Sequence, residues 1–460
     1  EVEYLPQSLE TATRMMPDAR WVLVSVPGRH AAGVARDALQ FGRNVFLYSD
    51  NVSIAEEVAL KREAGERGLL LLGPDCGTAI INGVGLGFAN RVRRGPIGLV
   101  AASGTGLQAV TSHIHQLGNG ITHAIGTGGR DLSREVGGAT TRAALLLLAH
   151  DSETRVIVLI SKPPAPEVAA EILALAQTLD KPVVVNFVGY PPPAPQLANV
   201  HFVTSFSQAA SLAARLAEEI TRLSPSVSTG ASTNGSPTRG APPTLPSPFF
   251  PLPPLSSFAP SQRYLRGLFS GGTLAYEAQL ALSRYLPVIY SNVPLEERSR
   301  LANPLESAEH TIIDLGADEF TVGRLHPMLD SSLRLRRLQQ EAADPQVAVI
   351  LLDVVLGDGA HPEPAGELAP AIAEAKGLVE KAGRHLEVAA IVIGTDEDPQ
   401  GLERQLSRLE SAGAYVATTV DAAAEYVGNL LRSLGAPAPT PGSAVASSVL
   451  IEPVQAINVG

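Results

Sequence analysis

Three short glycine turns are where this chain could do chemistry. Ser103-Gly104-Thr105-Gly106 lies within GLVAASGTGLQA (98–109), between an apolar run and an apolar helical pattern. Gly126-Thr-Gly-Gly-Arg130 follows a second apolar run, and Ser270-Gly-Gly-Thr273 precedes the helical pattern LAYEAQLALSRYL. A glycine turn that opens a helix presents unpaired backbone N–H groups and the positive end of the helix dipole. A dinucleotide, a phosphoryl group or a small carboxylate would each be served.

The spacing narrows this choice. Gly104-x-Gly106-x-x-Ala109 fits the dinucleotide pattern, which also wants an acid at the end of the following strand. That run, ITHAIGTGG, ends instead in glycines, with Asp131 arriving late, and two adjacent glycines suggest another backbone anion nest. A P-loop is excluded because neither the 103 turn nor the 270 turn contains a lysine. A tight turn with no ligand remains as the bland alternative. As a set, however, the turns suggest two helix N-termini from different domains holding one anion between two positive dipole ends, which requires no lysine.

Parallel sheets with crossover helices must position these turns. Short apolar runs alternate with helical patterns, each run ending in Gly, Ser, Pro or Asp. Open α/β folds place their ligands at such sheet edges. The expected fold class is α/β: a Rossmann-like domain, then two flavodoxin-like domains. The boundaries read as 1–94, 95–221, a Pro/Ser-rich linker at 222–262, a third domain at 263–434, and a spacer and tail at 435–460. Ten of the 36 prolines fall between Pro225 and Pro260, which rules out helix or central strand there. The start EVEYLPQSLE and the end QAINVG read as cuts within a longer protein.

Composition bounds the partners. The net charge is −11, from 46 acidic and 35 basic residues, which disfavours nucleic acid or an anionic membrane surface. No apolar run approaches the ~18–20 residues of a membrane helix. A single cysteine, Cys76, precludes an internal disulfide and a cysteine-built metal site, and a cytoplasmic setting is expected. His113, His115 and His123 lack a metal-ligand spacing, so no metal is expected.

GPDCG (73–77), IGLVAASGTG (97–106), IGTGGRDLSREVGG (125–138) and SKPP (161–164) resemble the α subunit of succinyl-CoA synthetase and related NDP-forming acyl-CoA ligases. Across nearly the whole chain, GPDCGTAI, LFSGGTLAYEA, TVGRLHPMLD, LLDVVLG and GTDEDPQ look closer still to the FdrA family within that superfamily. The resemblance implies a CoA-binding first domain and a third domain like the C-terminal ligase domain of the β subunit. It also implies one chain of a multi-subunit oxamate carbamoyltransferase of allantoin breakdown, joining oxamate and carbamoyl phosphate to give oxalurate and phosphate. The ligases' GHAGA phosphohistidine motif is missing from FVGYPPPAPQLANVHFV (187–203), whose His201 reads as structural. That departure favours the transferase over an acyl-CoA ligase component; a non-catalytic anion-binding scaffold is the third reading.

Roles follow from this reading. Ser103, Gly104, Thr105 and Gly106 would bind phosphate, with Ser270, Gly271, Gly272 and Thr273 opposite and Gly128 and Gly129 beside them. Arg130 would close the cavity on phosphate or carboxylate, or else form a surface salt bridge. Arg324 would bind the oxamate carboxylate and His326 would transfer a proton, unless it is merely exposed. Asp314 and Asp353 would orient donors or cap helices. Pro27, Gly28, Arg29 and Ser49 would hold CoA, with Lys61 or Arg62 meeting phosphates, or would be the vestige of such a site. Cys76 is assigned a packing role, since no neighbour in sequence lowers its pKa.

Overall fold

The computed structural model describes residues 6–191, 196–223 and 251–435. Most of the expected linker (224–250) and the tail from 436 lie outside the described residues.

The first unit comprises α1 (Leu9–Met15), β1 (Trp21–Val24), α2 (Gly28–Gln40), β2 (Asn44–Leu47), α3 (Ile54–Glu66) and β3 (Leu71–Leu72). Its strands form a parallel sheet in the order β1-β2-β3. Local sequence fixes the start of α3: Ser53 Oγ accepts the Glu56 amide while the Glu56 carboxylate accepts the Ser53 amide, a capping box.

The second unit runs β4 (Thr78–Ile81), β5 (Val84–Gly87), β6 (Arg94–Ala102), α4 (Gly104–Gln116), β7 (Ile121–Gly126), α5 (Ala139–His150), β8 (Val156–Ser161) and α6 (Pro166–Gln177). It continues with β9 (Val183–Phe187), β10 (Gln196–Leu197), β11 (Val200–Phe202) and α7 (Phe206–Leu223). The sheet order is β10-β11-β9-β8-β6-β7-β4-β5. Its inner strands are parallel; β4, β5 and β10 are antiparallel to their neighbours. The hairpin β4–β5 belongs to this sheet, whereas the sequence reading keeps everything up to residue 94 in the first unit.

The third unit holds β12 (Tyr264–Phe269), α8 (Gly272–Leu282), β13 (Tyr290–Ser291), β14 (Thr311–Asp314), α9 (Asp318–Thr321), α10 (Ser332–Ala343) and β15 (Val347–Val355). Then come α11 (Pro364–Lys381), β16 (Glu387–Ile393), α12 (Leu402–Ser411), β17 (Tyr415–Ala417) and α13 (Val420–Ser433). All its pairings are parallel, in the order β13-β14-β12-β15-β16-β17. Strand β15 (VAVILLDVV) is buried on both faces along its whole length, as a central strand between helix layers must be.

Both larger sheets follow the flavodoxin-like doubly wound order. Counting β6, β7, β8, β9 and β11 as one to five gives 2-1-3-4-5, and β12, β14, β15, β16 and β17 repeat it. In that order the chain reverses direction between the first and third strands, leaving a crevice at their C-terminal ends. For the second unit the crevice lies between β6 and β8; for the third, between β12 and β15. The expected α/β class holds.

The two larger units share one hydrophobic core. Helices α4 and α7 pack against α8 and α13, and Leu107, Val110, Phe206, Ala210, Leu274, Ala278 and Val427 belong to one buried cluster. Polar ties add to it: Asn90 Nδ2 donates to Asp398 Oδ2 (2.7 Å) and to the Leu356 carbonyl (2.9 Å), and the Arg91 amide donates to Asp398 Oδ1 (2.8 Å). Among the described residues no helix is long and apolar enough to cross a membrane.

Candidate functional site

The first glycine turn is organised by its own serine. Ser103 Oγ accepts the Gly106 amide (2.9 Å), capping α4. The second turn has no such local cap and is held from a distance. Asp353, fully buried near the end of β15, accepts from the Ser270 amide (2.7 Å), Ser270 Oγ (2.9 Å) and the Gly271 amide (3.0 Å). Its remaining charge meets Arg334 Nη1 at 3.1 Å. Burial raises the Asp353 pKa and Arg334 opposes that.

The two turns touch. A Cβ on Gly271 would lie 2.5 Å from Thr105 Cγ2 and 2.7 Å from its Oγ1, so only glycine permits this approach. They border one cavity of about 790 Å³. Its other walls are the strand-end loops of the first unit (Ser25, Val26, Ser49, Asp50, Asp75) and the segment from Gly316 to Leu329.

The two turns expected to hold an anion are therefore brought together, but with fewer free donors than the sequence suggests. Gly106 is used by Ser103, and Ser270 and Gly271 are used by Asp353. The amides of Gly104, Thr105, Gly272 and Thr273 have no partner among the described residues. Gly129 lines the cavity; Gly128 does not, and its φ of +87° with Pro74 O 2.5 Å from its Cβ position marks a packing role.

Arg130 is a correction. Instead of closing the cavity, its Nε bonds Glu57 Oε2 (3.0 Å) and its Nη2 bonds the Val52 carbonyl (2.8 Å). The buried Glu57 carboxylate also pairs with Lys61 one turn on in the same helix (2.9 Å), so it holds Arg130 against α3. Lys61, offered for CoA phosphates, is likewise spent: it is buried against Glu57, Asp131 (2.7 Å) and the Thr127 carbonyl.

Of the residues expected to hold CoA, Ser49 lines the cavity, whereas Pro27, Gly28 and Arg29 lie outside its lining. Ser49 Oγ donates to the Val26 carbonyl (2.6 Å) and accepts the Val26 amide (3.0 Å), tying two first-unit loops together. Gly28 sits where a Cβ would meet Asp50 O at 2.3 Å. Arg29 is exposed, with its Nε on His30 Nε2 (3.1 Å).

Arg324 and His326 both reach the cavity. His326 Nδ1 accepts the Met328 amide (3.2 Å), which leaves the proton of the neutral ring on Nε2. Burial, with repulsion from Arg334, pushes its pKa down to about 4, so at neutral pH it is an uncharged hydrogen-bond donor. Cys76 is buried, with its thiol pushed up to about 12 by burial, consistent with packing.

Lys162 and Asp75, which the sequence reading gave no role, complete the site together with Asp314, which it had offered as a donor-orienting or helix-capping residue. Lys162 enters from the end of β8, beside Ser103, because Ser161 pairs in register with Ala102. Asp314 closes β14; its Oδ1 accepts the Gly316 amide (2.9 Å), and its Oδ2 lies 2.3 Å from a Cβ position on Gly272. Burial pushes Asp314 up to about 6 against the pull of Lys162. Asp75 opens into the cavity where water reaches it, yet protein surrounds it closely enough to raise it to about 6, with repulsion from Asp318 and Asp50 adding. The signal available in sequence was position: each ends, or closely follows, an apolar strand run.

Comparison with known proteins bears on what the cavity does. A model of the CoA-ligase family matches residues 268–430, and one of the CoA binding domain matches residues 93–189. The latter falls chiefly on the second unit, outside Pro27, Gly28, Arg29 and Ser49. The uncharacterized protein YahF of Escherichia coli (strain K12) is 42% identical over 415 residues, covering 90% of this chain and 77% of that one. Subunit alpha 2 of the ADP-forming succinate–CoA ligase of Archaeoglobus fulgidus is 28% identical over 182 residues, 38% of this chain and 61% of that one. Among solved structures, the dinucleotide-forming acetyl-coenzyme A synthetase 1 of Ca. Korarchaeum cryptofilum, in complex with phosphate and ADP, is 15% identical with a TM-score of 0.36, covering 90% and 83% of the two chains. The two family models and the succinate–CoA ligase overturn the expected carbamoyl transfer to oxamate: the likeness is to CoA ligases. The missing phosphohistidine motif weighed against a histidine relay, but it carried no positive sign of carbamoyl chemistry.

Proposed function

This chain belongs to the family of the Escherichia coli protein YahF, and from that premise we propose that it is a component of an NDP-forming acyl-CoA ligase of the succinyl-CoA synthetase kind. The reaction assigned to its cavity is exchange of an acyl group between CoA and phosphate. A phosphate oxygen attacks the thioester carbon, the C–S bond breaks, and CoA leaves as thiolate; synthesis runs the steps in reverse. The narrower FdrA identity, and a further chain supplying the nucleotide site, are parts of this reading.

The observation that carries it is the contact of the Ser103 and Ser270 turns over one cavity. Free amides at Gly104, Thr105, Gly272 and Thr273 would face the phosphoryl oxygens, where two helix dipoles favour negative charge. Such fixed donors stabilise a developing oxyanion without reorganising. The neutral His326 Nε2–H would be a further donor, and Arg324 at the mouth would meet an anionic substituent of the acyl group.

Arsenate tests this without a nucleotide. Incubating the chain with acetyl-, propionyl- or succinyl-CoA and arsenate is expected to release free CoA thiol, because the acyl arsenate hydrolyses and pulls the exchange forward. A chain that binds neither oxyanion nor CoA, and releases no thiol from any of these, rules the reading out.

The raised carboxyls give a pH dependence. Anion binding should favour Asp75 and Asp314 protonated, so sulfate affinity is expected to rise as pH falls through about 6 and to level off below it. Sulfate keeps its charge over this range. Titration calorimetry between pH 7.5 and 5 checks it; a gain of about tenfold corresponds to relief of roughly 1.4 kcal/mol of repulsion. Asp314→Asn should flatten much of the slope, and a pH-independent wild-type affinity would disprove the coupling.

A further inference from the structure

We propose that Lys162 is the residue that seats the oxyanion in this cavity, its ammonium supplying the positive charge that the two glycine turns lack. The inference rests on the acyl–phosphate exchange above and names the group that reads its phosphoryl moiety.

Position comes first. Register pairing of β6 with β8 sets Ser161 opposite Ala102, so the next residues, Lys162 and Ser103, emerge side by side at the crevice of the second sheet. Pro163 and Pro164 follow at once, and a lysine before proline is held to extended backbone, which limits where its side chain can go. From there it crosses to the third unit: Nζ lies 3.2 Å from the position a Cβ would take on Gly272, the first residue of α8. One side chain thus spans the start of α4 and the start of α8.

Pairing comes second. Among the described residues the buried lysine and arginine side chains all have carboxylate partners: Lys61 with Glu57 and Asp131, Arg266 with Glu341, Arg334 with Asp353, and Arg337 with Glu341. Lys162 is half-buried, lines the cavity, and makes no hydrogen bond or ion pair within 4 Å among the described residues. A partly desolvated ammonium without a counter-charge is unfavourable by itself. Asp75 and Asp314 feel its charge without closing a salt bridge on it. The unpaired ammonium, the spare amides at Gly272 and Thr273, and the spare amides at Gly104 and Thr105 converge on one space. An ammonium and two sets of amides around one space suit a tetrahedral oxyanion, whose several oxygens can take separate donors.

The test uses the full chain with Lys162→Met and Lys162→Arg, reading sulfate and phosphate binding by calorimetry and arsenate-dependent CoA release by thiol assay. Loss of a charge-assisted hydrogen bond should weaken oxyanion binding in Lys162→Met about ten- to a hundred-fold. The loss should fall on the arsenate KM more than on kcat, with the KM for acyl-CoA near wild type, and Lys162→Arg should recover part of it. Wild-type binding that Lys162→Met leaves unchanged overturns the assignment of Lys162 while the exchange reading stands. A wild-type chain that binds no oxyanion fails the exchange reading itself. If Lys162 instead serves only to offset Asp314, Lys162→Met would lower the melting temperature and adding Asp314→Asn would restore both stability and binding; that outcome also overturns the proposal.

Discussion

Replacing Gly271 with valine is expected to abolish oxyanion binding while leaving the three sheets folded. The φ of Gly271 is −120°, which any residue adopts, so the effect is one of space and not of backbone strain. The first carbon of the new side chain would fall 2.9 Å from Thr105 Cβ, and rotating the threonine cannot relieve a clash with its Cβ. The turns must separate, and the amides of Gly272 and Thr273 then leave the space faced by those of Gly104 and Thr105. Losing a single aligned oxyanion donor costs on the order of 10²–10³ in rate, so losing the alignment of several should take exchange below detection. The stability cost should be smaller, about 1–3 kcal/mol for overpacking. Calorimetric titration with sulfate and the arsenolysis assay read the first effect, and thermal unfolding reads the second. Pairing Gly271→Ala with Thr105→Gly removes the opposing side chain and should restore binding. If Gly271→Val binds sulfate like the wild type, the anion does not sit between these turns. Gly104→Asp offers an independent check: a Cβ there meets nothing closer than Thr78 Oγ1 at 3.6 Å, so the variant should fold while its charge repels the guest.

Asp353→Ala is expected to be among the most destabilising single changes in the third unit. Its carboxylate is fully buried and satisfies two amides, one hydroxyl and one guanidinium. Truncation leaves Arg334, itself fully buried, facing an empty space with its charge uncompensated. Breaking one side of such a pair costs about 3–5 kcal/mol, and unfolding should begin roughly 10 °C earlier by calorimetry. The double variant Asp353→Leu with Arg334→Met removes both charges and should lose less than Asp353→Ala alone. A shift in unfolding of only a degree or two would mean that water reaches Arg334 and that the pair is not the anchor of the turn. Because Asp353 also aims the Ser270 turn, the single variant should bind sulfate more weakly even at temperatures where it stays folded.

The two turns show where sequence reasoning works and where it stops. The Ser103 turn was legible because its chemistry is local: a serine, two glycines and an apolar helix within a dozen residues specify an N-cap and a set of free amides. The Ser270 turn reads the same way, but half of its donors are already committed to a carboxylate 82 residues later. No spacing rule reaches that far; the pairing exists because β12 and β15 are neighbours in the sheet. Arg130 failed for the same reason. Its nearest acids in sequence are Asp131 and Glu135, yet it is captured by Glu57, brought close by the packing of α3 against the second unit.

Sequence alone determined the α/β class and the positions of the glycine turns at strand ends, because strand alternation, helix caps and glycine turns are set by contacts a few residues apart. Only the tertiary structure decided which amides stay free, that Lys162 and not Arg130 lines the cavity beside them, and that Asp75 and Asp314 sit where burial lifts their pKa values. Those outcomes depend on desolvation and on charges from distant strands meeting at one sheet edge, and neither is a property of any stretch of sequence read alone.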